Sequence, residues 1–196
     1  MARAGLTQTR VIEEGERMAD EVGLERLTLA ALAARLGVRQ PSLYKHIDGL
    51  DALRRGISVR AKSELAYVLA MAAVGRDGGD AITSIAHAYR AWALEHPGRY
   101  AAAQRAPAAG DADDQAASLA VVRVATDVLA GYELHDDDAI DATRALRATL
   151  HGFITLEIAG GFGLPVDIDR SFERLVEGLI AAFSQWTRDE SVARSR

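Results

Sequence analysis

Residues 28–46 read Thr-Leu-Ala-Ala-Leu-Ala-Ala-Arg-Leu-Gly-Val-Arg-Gln-Pro-Ser-Leu-Tyr-Lys-His, and this stretch decides the fold. Thr28 is a good N-cap for a helix in which Leu29, Leu32, Ala33 and Leu36 fall on one face. Gly37 can take the left-handed conformation that closes such a helix. Pro41 then sits in the first turn of the next helix, where its missing N–H costs nothing. That short helix carries Leu43 and Tyr44 and is expected to end near His46. Two short helices joined by a three-residue turn, Gly37-Val38-Arg39, have the spacing of a helix-turn-helix. Leu32, Leu36, Val38 and Leu43 can bury the corner, and Arg39, Gln40, Ser42, Tyr44, Lys45 and His46 project outward. Long hydrogen-bonding side chains at this density are what a DNA major groove accommodates. A surface αα-corner with solvated polar residues has the same spacing, so spacing alone leaves both readings open.

Working outward, Thr7 can cap a helix bearing Val11, Ile12, Gly15, Met18, Ala19 and Val22, with Gly23 as its stop. Asp48 can cap a long fourth helix through Ala52, Leu53, Ile57, Ala61, Leu65 and Val68, with Asp51 in its first turn. The run Gly75-Arg-Asp-Gly-Gly79 reads as a linker. Beyond it, periodicity predicts helices over 80–95, 98–106, 113–131, 137–160 and 169–188. No stretch alternates as a half-buried strand would. The fold class is all-α. A three-helix helix-turn-helix domain (1–55) is joined by the long helix to a larger helical domain (56–196).

Charge supports the division. Residues 1–62 carry 11 Lys and Arg against 8 Asp and Glu, whereas 63–196 carry 12 against 20. Between Arg26 and Lys62 stand Arg35, Arg39, Lys45, Arg54, Arg55 and Arg60, opposed only by Asp48 and Asp51. A basic head on an acidic body suits a polyanion at one end, although a chance fluctuation of surface charge would look similar. The chain has no cysteine, which removes disulfides, thiolate zinc and a Cys nucleophile, and fits a reducing cytoplasm. Its longest apolar run, Leu65 to Val74, is too short to span a bilayer, and no apolar signal segment opens the chain, so a cytoplasmic protein is expected. The histidines form no metal-ligand pair at helical spacing, and no metal or cofactor is expected. His135-Asp136-Asp137-Asp138 reads as acidic residues at a helix's positive end. Gly160-Gly-Phe-Gly163 lacks the Lys-Ser/Thr of a phosphate loop and reads as a helix stop. No nucleophile elbow is present and no catalytic residue is assigned.

The run Asp20–Ile47, continuing through Asp51-Ala-Leu53, resembles the DNA-binding domain of the TetR (tetracycline repressor) family. The specific core is Leu36-Gly-Val … Pro41-Ser-Leu-Tyr-Lys-His46, and the resemblance covers residues 7–55. His151-Gly152-Phe153, followed by Glu157-Ile-Ala-Gly-Gly-Phe-Gly, resembles a C-terminal subgroup named for a Trp-His-Gly motif, with Thr149-Leu150 where its Trp would be expected. The resemblance implies that Gln40, Pro41 and Tyr44 meet bases or thymine methyls. It implies phosphate contacts for Thr28, Ser42, Tyr44 and His46. Arg39 and Lys45 join the set for their reach, since Arg can grip a guanine edge with two bonds. Where such proteins often place a Lys at the start of the fourth helix, this chain has Leu50, so Arg54 or Arg55 is expected to compensate. The implied function is a homodimeric transcriptional regulator, usually a repressor, on a palindromic double-stranded DNA operator, released by a small-molecule effector. A helical-bundle enzyme or carrier, with a structural N-terminal corner, is the alternative.

The last two helices carry broad apolar stripes: Ile140, Thr143, Leu146, Leu150, Phe153, Ile154 and Ile158 on one, and Phe172, Leu175, Val176, Leu179, Ile180 and Phe183 on the other. Core packing would account for them. The family resemblance points instead to a dimer interface through Leu146, Phe153, Ile154, Leu175, Leu179 and Phe183. For an effector pocket the body offers His87, Trp92, Tyr100, Arg123 and His151, with Gln104, Asp127 and Glu157 as further candidates.

Overall fold

The computed structural model describes residues 6–134 and 136–194, with side chains through Trp186, and His135 lies outside them. The described residues form helices and turns only. In chain order the helices are α1 (Gln8–Val22), α2 (Leu29–Leu36), α3 (Gln40–Leu43), α4 (Gly49–Ala73), α5 (Gly78–Glu95), α6 (Pro97–Ala103), α7 (Ala112–Leu129), α8 (Asp136–Ile158) and α9 (Ile168–Arg194). They pack as two units. Met1–Glu64 joins with Glu95–Ser118, and Leu65–Leu94 joins with Leu119–Arg196. The unit holding the helix-turn-helix thus runs past residue 55 and recruits a distant segment, 95–118.

Local signals set the first unit. The Thr7 hydroxyl accepts from Arg10 N at 3.2 Å, and the Thr28 hydroxyl accepts from Ala31 N at 3.2 Å. Each satisfies an N–H that the first helical turn would otherwise leave orphaned. Gly37, at φ 67°, closes α2, and Val38 N then donates to Ala33 O at 3.0 Å. Val11, Ala19, Leu27, Leu32, Leu43, Leu53 and Ile57 bury completely in one core, and Ala102 of α6 joins them. α3 is a single turn, and residues 44–46 continue as a turn rather than as helix.

The segment 95–118 is fastened to this core in three ways. Gly98 lies against the α1 backbone so closely that a Cβ there would meet Ala19 C and O at 2.1 Å. Arg99 donates through its backbone N to Asp20 at 2.8 Å and through its guanidinium to Asp20 at 2.7 Å and Glu64 at 2.8 Å. Lys62, buried on α4, donates to Asp114 at 2.6 Å and to Arg105 O at 2.7 Å.

In the second unit, Ile82, Ile154, Phe172 and Phe183 are wholly buried. Phe153 stacks on Phe172 at 5.1 Å and on Phe162 at 4.7 Å. Arg90 lies over the Phe172 ring at 4.8 Å and is fixed by Glu157 at 2.6 Å and Asp169 at 2.7 Å. Hydrogen bonds to those carboxylates keep its guanidinium more basic than usual. α8 stops at the predicted place, where Gly161 N donates to Leu156 O at 2.7 Å and Gly160 takes φ 68°.

Candidate nucleic-acid interface

The surface from Arg39 to His46 is built by two constraints that act together. Leu43 is wholly buried and pins α3 to the core, while the αL turn at Gly37 sets the angle at which α3 leaves α2. Arg39, the N-cap of α3, is exposed, as are Gln40, Pro41, Tyr44 and Lys45, and Ser42 and His46 are half-buried. Tyr44 leaves 53% of its surface to solvent, a large exposure for an aromatic ring with no buried role. Thr28 is exposed at the start of α2, and its capping bond uses only the oxygen's acceptor capacity. The hydroxyl proton remains available to an external acceptor such as a phosphate oxygen. All eight residues expected at this interface therefore belong to the helix-turn-helix unit.

Most neighbouring cations are committed elsewhere. Arg35 is held by Glu14 at 2.8 Å and by Glu21, which raises its pKa and draws both carboxyls below their usual range. Arg60 pairs with Glu16 at 2.8 Å. Arg55, expected to reach a phosphate, is held by Asp111 at 2.5 Å and Asp113 at 3.1 Å. Arg54 is half-buried with Glu25 at 3.9 Å. Both cations expected to compensate for Leu50 thus lie toward carboxylates in this structure. The segment 95–118 supplies the carboxylates that occupy Arg55, a contact between residues 56 apart that periodicity and spacing do not signal. Among the described residues, Arg39 and Lys45 enter no ion pair.

Comparison with known proteins agrees with this geometry. Residues 82–179 match the family model described as tetracyclin repressor-like, C-terminal domain. The chain is 35% identical over 185 residues to the HTH-type transcriptional regulator Rv0681 of Mycobacterium tuberculosis, covering 94% of this chain and 84% of that protein. This chain belongs to the TetR family. It is also 39% identical to the HTH-type transcriptional regulator YobS of Bacillus subtilis, covering 85% of this chain and 86% of YobS. Its fold is shared with a TetR variant from Acinetobacter baumannii AYE solved with minocycline (TM-score 0.71, 23% identity, 93% of this chain and 99% of that one). As a TetR-family member, this protein is a DNA-binding transcriptional regulator and not an enzyme.

The residues expected in the TetR-type body are distributed less simply. Trp92 and Tyr100 are both buried, but Trp92 belongs to the second unit and Tyr100 to the first. His87 is exposed, with its ring edge-on to Phe172 at 5.4 Å, and Arg123 is exposed on α7. His151 is half-buried, and burial, reinforced by the Arg147 charge, lowers its pKa. Gln104 reaches back to Tyr100 O at 3.5 Å, and Glu157 is occupied by Arg90. Tyr100 and Gln104 belong to the first unit and the other six to the second. Of the eight, Asp127 alone lines the cleft at the C-terminal ends of α4 and α7.

The expected dimer residues need a similar correction. Leu146, Phe153, Ile154 and Phe183 are buried inside the chain, and only Leu175 and Leu179 are partly exposed. Ile140 and Ile158, assigned to the same stripe, face solvent. The stripes are mainly core. The pairing of Arg90 with Glu157 was not anticipated, although an Arg between Tyr89 and Trp92 in an apolar helix is a signal for a buried, paired cation.

Proposed function

We propose that this chain works as a homodimeric repressor that reads a palindromic operator through residues 39–46 and is released by a small ligand. The observation that carries this reading is the exposed set Arg39, Gln40, Tyr44 and Lys45 on α3 and its two flanks, anchored by Leu43, in a unit whose other cations are largely paired internally. Gln40, Pro41 and Tyr44 would meet base edges, with Arg39 gripping a guanine. Thr28, Ser42, Lys45 and His46 would meet phosphates. The functional division falls at residue 55, with DNA reading before it and effector binding and dimerisation after it. Work on an operator implies a cytoplasmic protein. Among the described residues no helix is long and apolar enough to cross a membrane.

Dimerisation would use the outward faces of α8 and α9 instead of their buried stripes. Ala148 and Gly152 on α8, and Gly178 and Ala181 on α9, are exposed at helical spacing. A Cβ at Gly152 or Gly178 would meet nothing within 4 Å, so a second copy can approach closely there. Leu175 and Leu179 border this face. An isologous pairing of this kind presents two recognition helices to successive half-sites. That a TetR variant of the same fold was solved in complex with minocycline supports control by a small ligand.

The test is purified full-length protein titrated against the DNA flanking its own gene at several salt concentrations, with sedimentation in parallel. The reading expects saturable, sequence-selective, salt-sensitive binding by a dimer. A monomer at micromolar concentration, or equal affinity for unrelated DNA, refutes it.

A further inference from the structure

A cleft of about 330 Å³ lies where the C-terminal ends of α4 and α7 meet the start of α5. That volume is at the lower end of the range for small-molecule sites. Its walls are small and apolar, chiefly Ala70, Ala73, Val74, Ala81, Val124 and Val128. Its charged lining is Arg76, Asp77 and Asp127. These three charges are not equivalent. Arg76 turns its Nη1 onto Ala72 O at 3.1 Å and Val74 O at 3.4 Å, capping the carbonyl end of its own helix. Asp77 and Asp127 enter no ion pair among the described residues. α4 ends at Ala73 and α7 at Leu129, so two helix C-termini, each the negative end of a helix dipole, converge on the same space. The opposing positive end, at the start of α5, carries Asp80 in its first turn and Asp77 just before it, whose carbonyl accepts from Ala81 N at 3.1 Å, so Asp127 is the rim carboxylate away from that end.

An apolar floor under a net negative rim selects one kind of small molecule. We propose that this cleft is an effector site for a small amphipathic monocation, such as an alkyl- or arylammonium. Its apolar body would lie on the Ala and Val walls, and its cationic head between Asp77 and Asp127. A neutral molecule of the same shape gains only the apolar contact. A carboxylate of that shape meets two carboxylates and two helix C-termini against the single cation Arg76. The proposal rests on the effector-controlled reading above but assigns it a place and a chemistry.

The test uses full-length protein and three probes of matched size: benzyltrimethylammonium, its uncharged carbon isostere and 4-phenylbutyrate. Calorimetric titration should show saturable binding of the cation at least tenfold tighter than the isostere, with the carboxylate weakest. Asp127→Asn should weaken the cation about tenfold and leave the isostere unchanged, because Asp127 is exposed and its loss does not disturb the core. Ala70→Trp, which fills the cleft from its exposed wall, should remove both. The cleft assignment is overturned if none of the probes binds at millimolar concentration. It is equally overturned if the isostere or the carboxylate matches the cation, or if Asp127→Asn changes nothing. Operator affinity is measured with and without the cation. Cation binding that leaves operator affinity unchanged keeps the site but refutes effector control. Release by a ligand indifferent to Asp127→Asn keeps effector control but refutes this site.

Discussion

Replacing Gly98 by alanine sets two effects against each other with opposite signs. Alanine is the better helix former, and in an unobstructed helix the exchange would stabilise by up to about 1 kcal/mol. Here the added Cβ would fall 2.1 Å from Ala19 C and O and 2.6 Å from Asp20 N. All three are backbone atoms, so no side chain can rotate away. Restoring ordinary contact, which begins near 3.4 Å, requires α6 to retreat from α1 by more than 1 Å. That movement stretches the Arg99 N bond to Asp20, now 2.8 Å, out of hydrogen-bonding range. Overpacking of this kind costs about 1–3 kcal/mol, and losing a bond to a carboxylate about 1.5–3 kcal/mol. With partial relaxation and the propensity gain subtracted, Gly98→Ala should destabilise the first unit by about 2–4 kcal/mol. Urea unfolding at fixed protein concentration, with hydrogen exchange of the α1 amides, measures this directly. A variant as stable as the parent would refute the seating of α6 on α1.

Four further outcomes rest on the same geometry. Lys62→Met alone leaves Asp114 buried and unpaired and should cost about 3–5 kcal/mol in urea unfolding, whereas Lys62→Met with Asp114→Leu should recover most of it; equal losses would show that the pair is not buried in solution. Tyr44→Ala should weaken operator binding by about 1–3 kcal/mol. Lys45→Ala should flatten the salt slope by about one unit for each phosphate no longer neutralised, Arg39→Ala should relax selectivity at the guanine it grips, and Arg55→Ala should leave the slope unchanged; a flattened slope for Arg55→Ala would mean that Asp111 does not hold it. Because burial lowers the His151 pKa, the native state binds fewer protons than the unfolded chain just below about pH 6.5, so stability should fall as pH drops through that window. His151→Asn should remove part of that dependence between about pH 7.5 and 5.5, and an unchanged dependence would assign it to other groups.

The helix-turn-helix was legible in the sequence because its determinants are local. A capping hydroxyl at Thr28, an αL glycine at Gly37 and a first-turn proline at Pro41 act within one or two turns of the chain, and all three occupy the roles their chemistry favours. The seating of α6 and the start of α7 on the head was not legible. Its contacts join residues as far apart as 79 positions, and a lone Gly98 between Pro97 and Arg99 looks like a simple break. The stripes on α8 and α9 were legible as apolar faces but not as to what they cover. Helical periodicity reports that a face is buried, and the same spacing serves a chain's own core and a second copy. The outward set at Ala148, Gly152, Gly178 and Ala181 carries too little hydrophobicity to stand out.

Charge illustrates the same limit more sharply. The eight cations from Arg26 to Lys62 suggested a basic head, yet Arg35, Arg55, Arg60 and Lys62 are paired with carboxylates, Arg54 lies toward Glu25, and Arg26 donates its Nε to Val22 O. Three of those carboxylates, Asp111, Asp113 and Asp114, come from the segment that the sequence assigned to the acidic body. Counting charge by stretch therefore separated groups that the fold puts together. What reaches a phosphate is charge left unpaired at the surface, because a cation already bridging two carboxylates releases no counterions when DNA arrives. On the proposed homodimer, with Arg39 at a guanine, Lys45 would supply about two phosphate contacts and a salt slope of about −1.8 from this residue. On the same proposed reading, selectivity would come from Arg39, Gln40 and Tyr44 at the base edges, which phosphate contacts do not read.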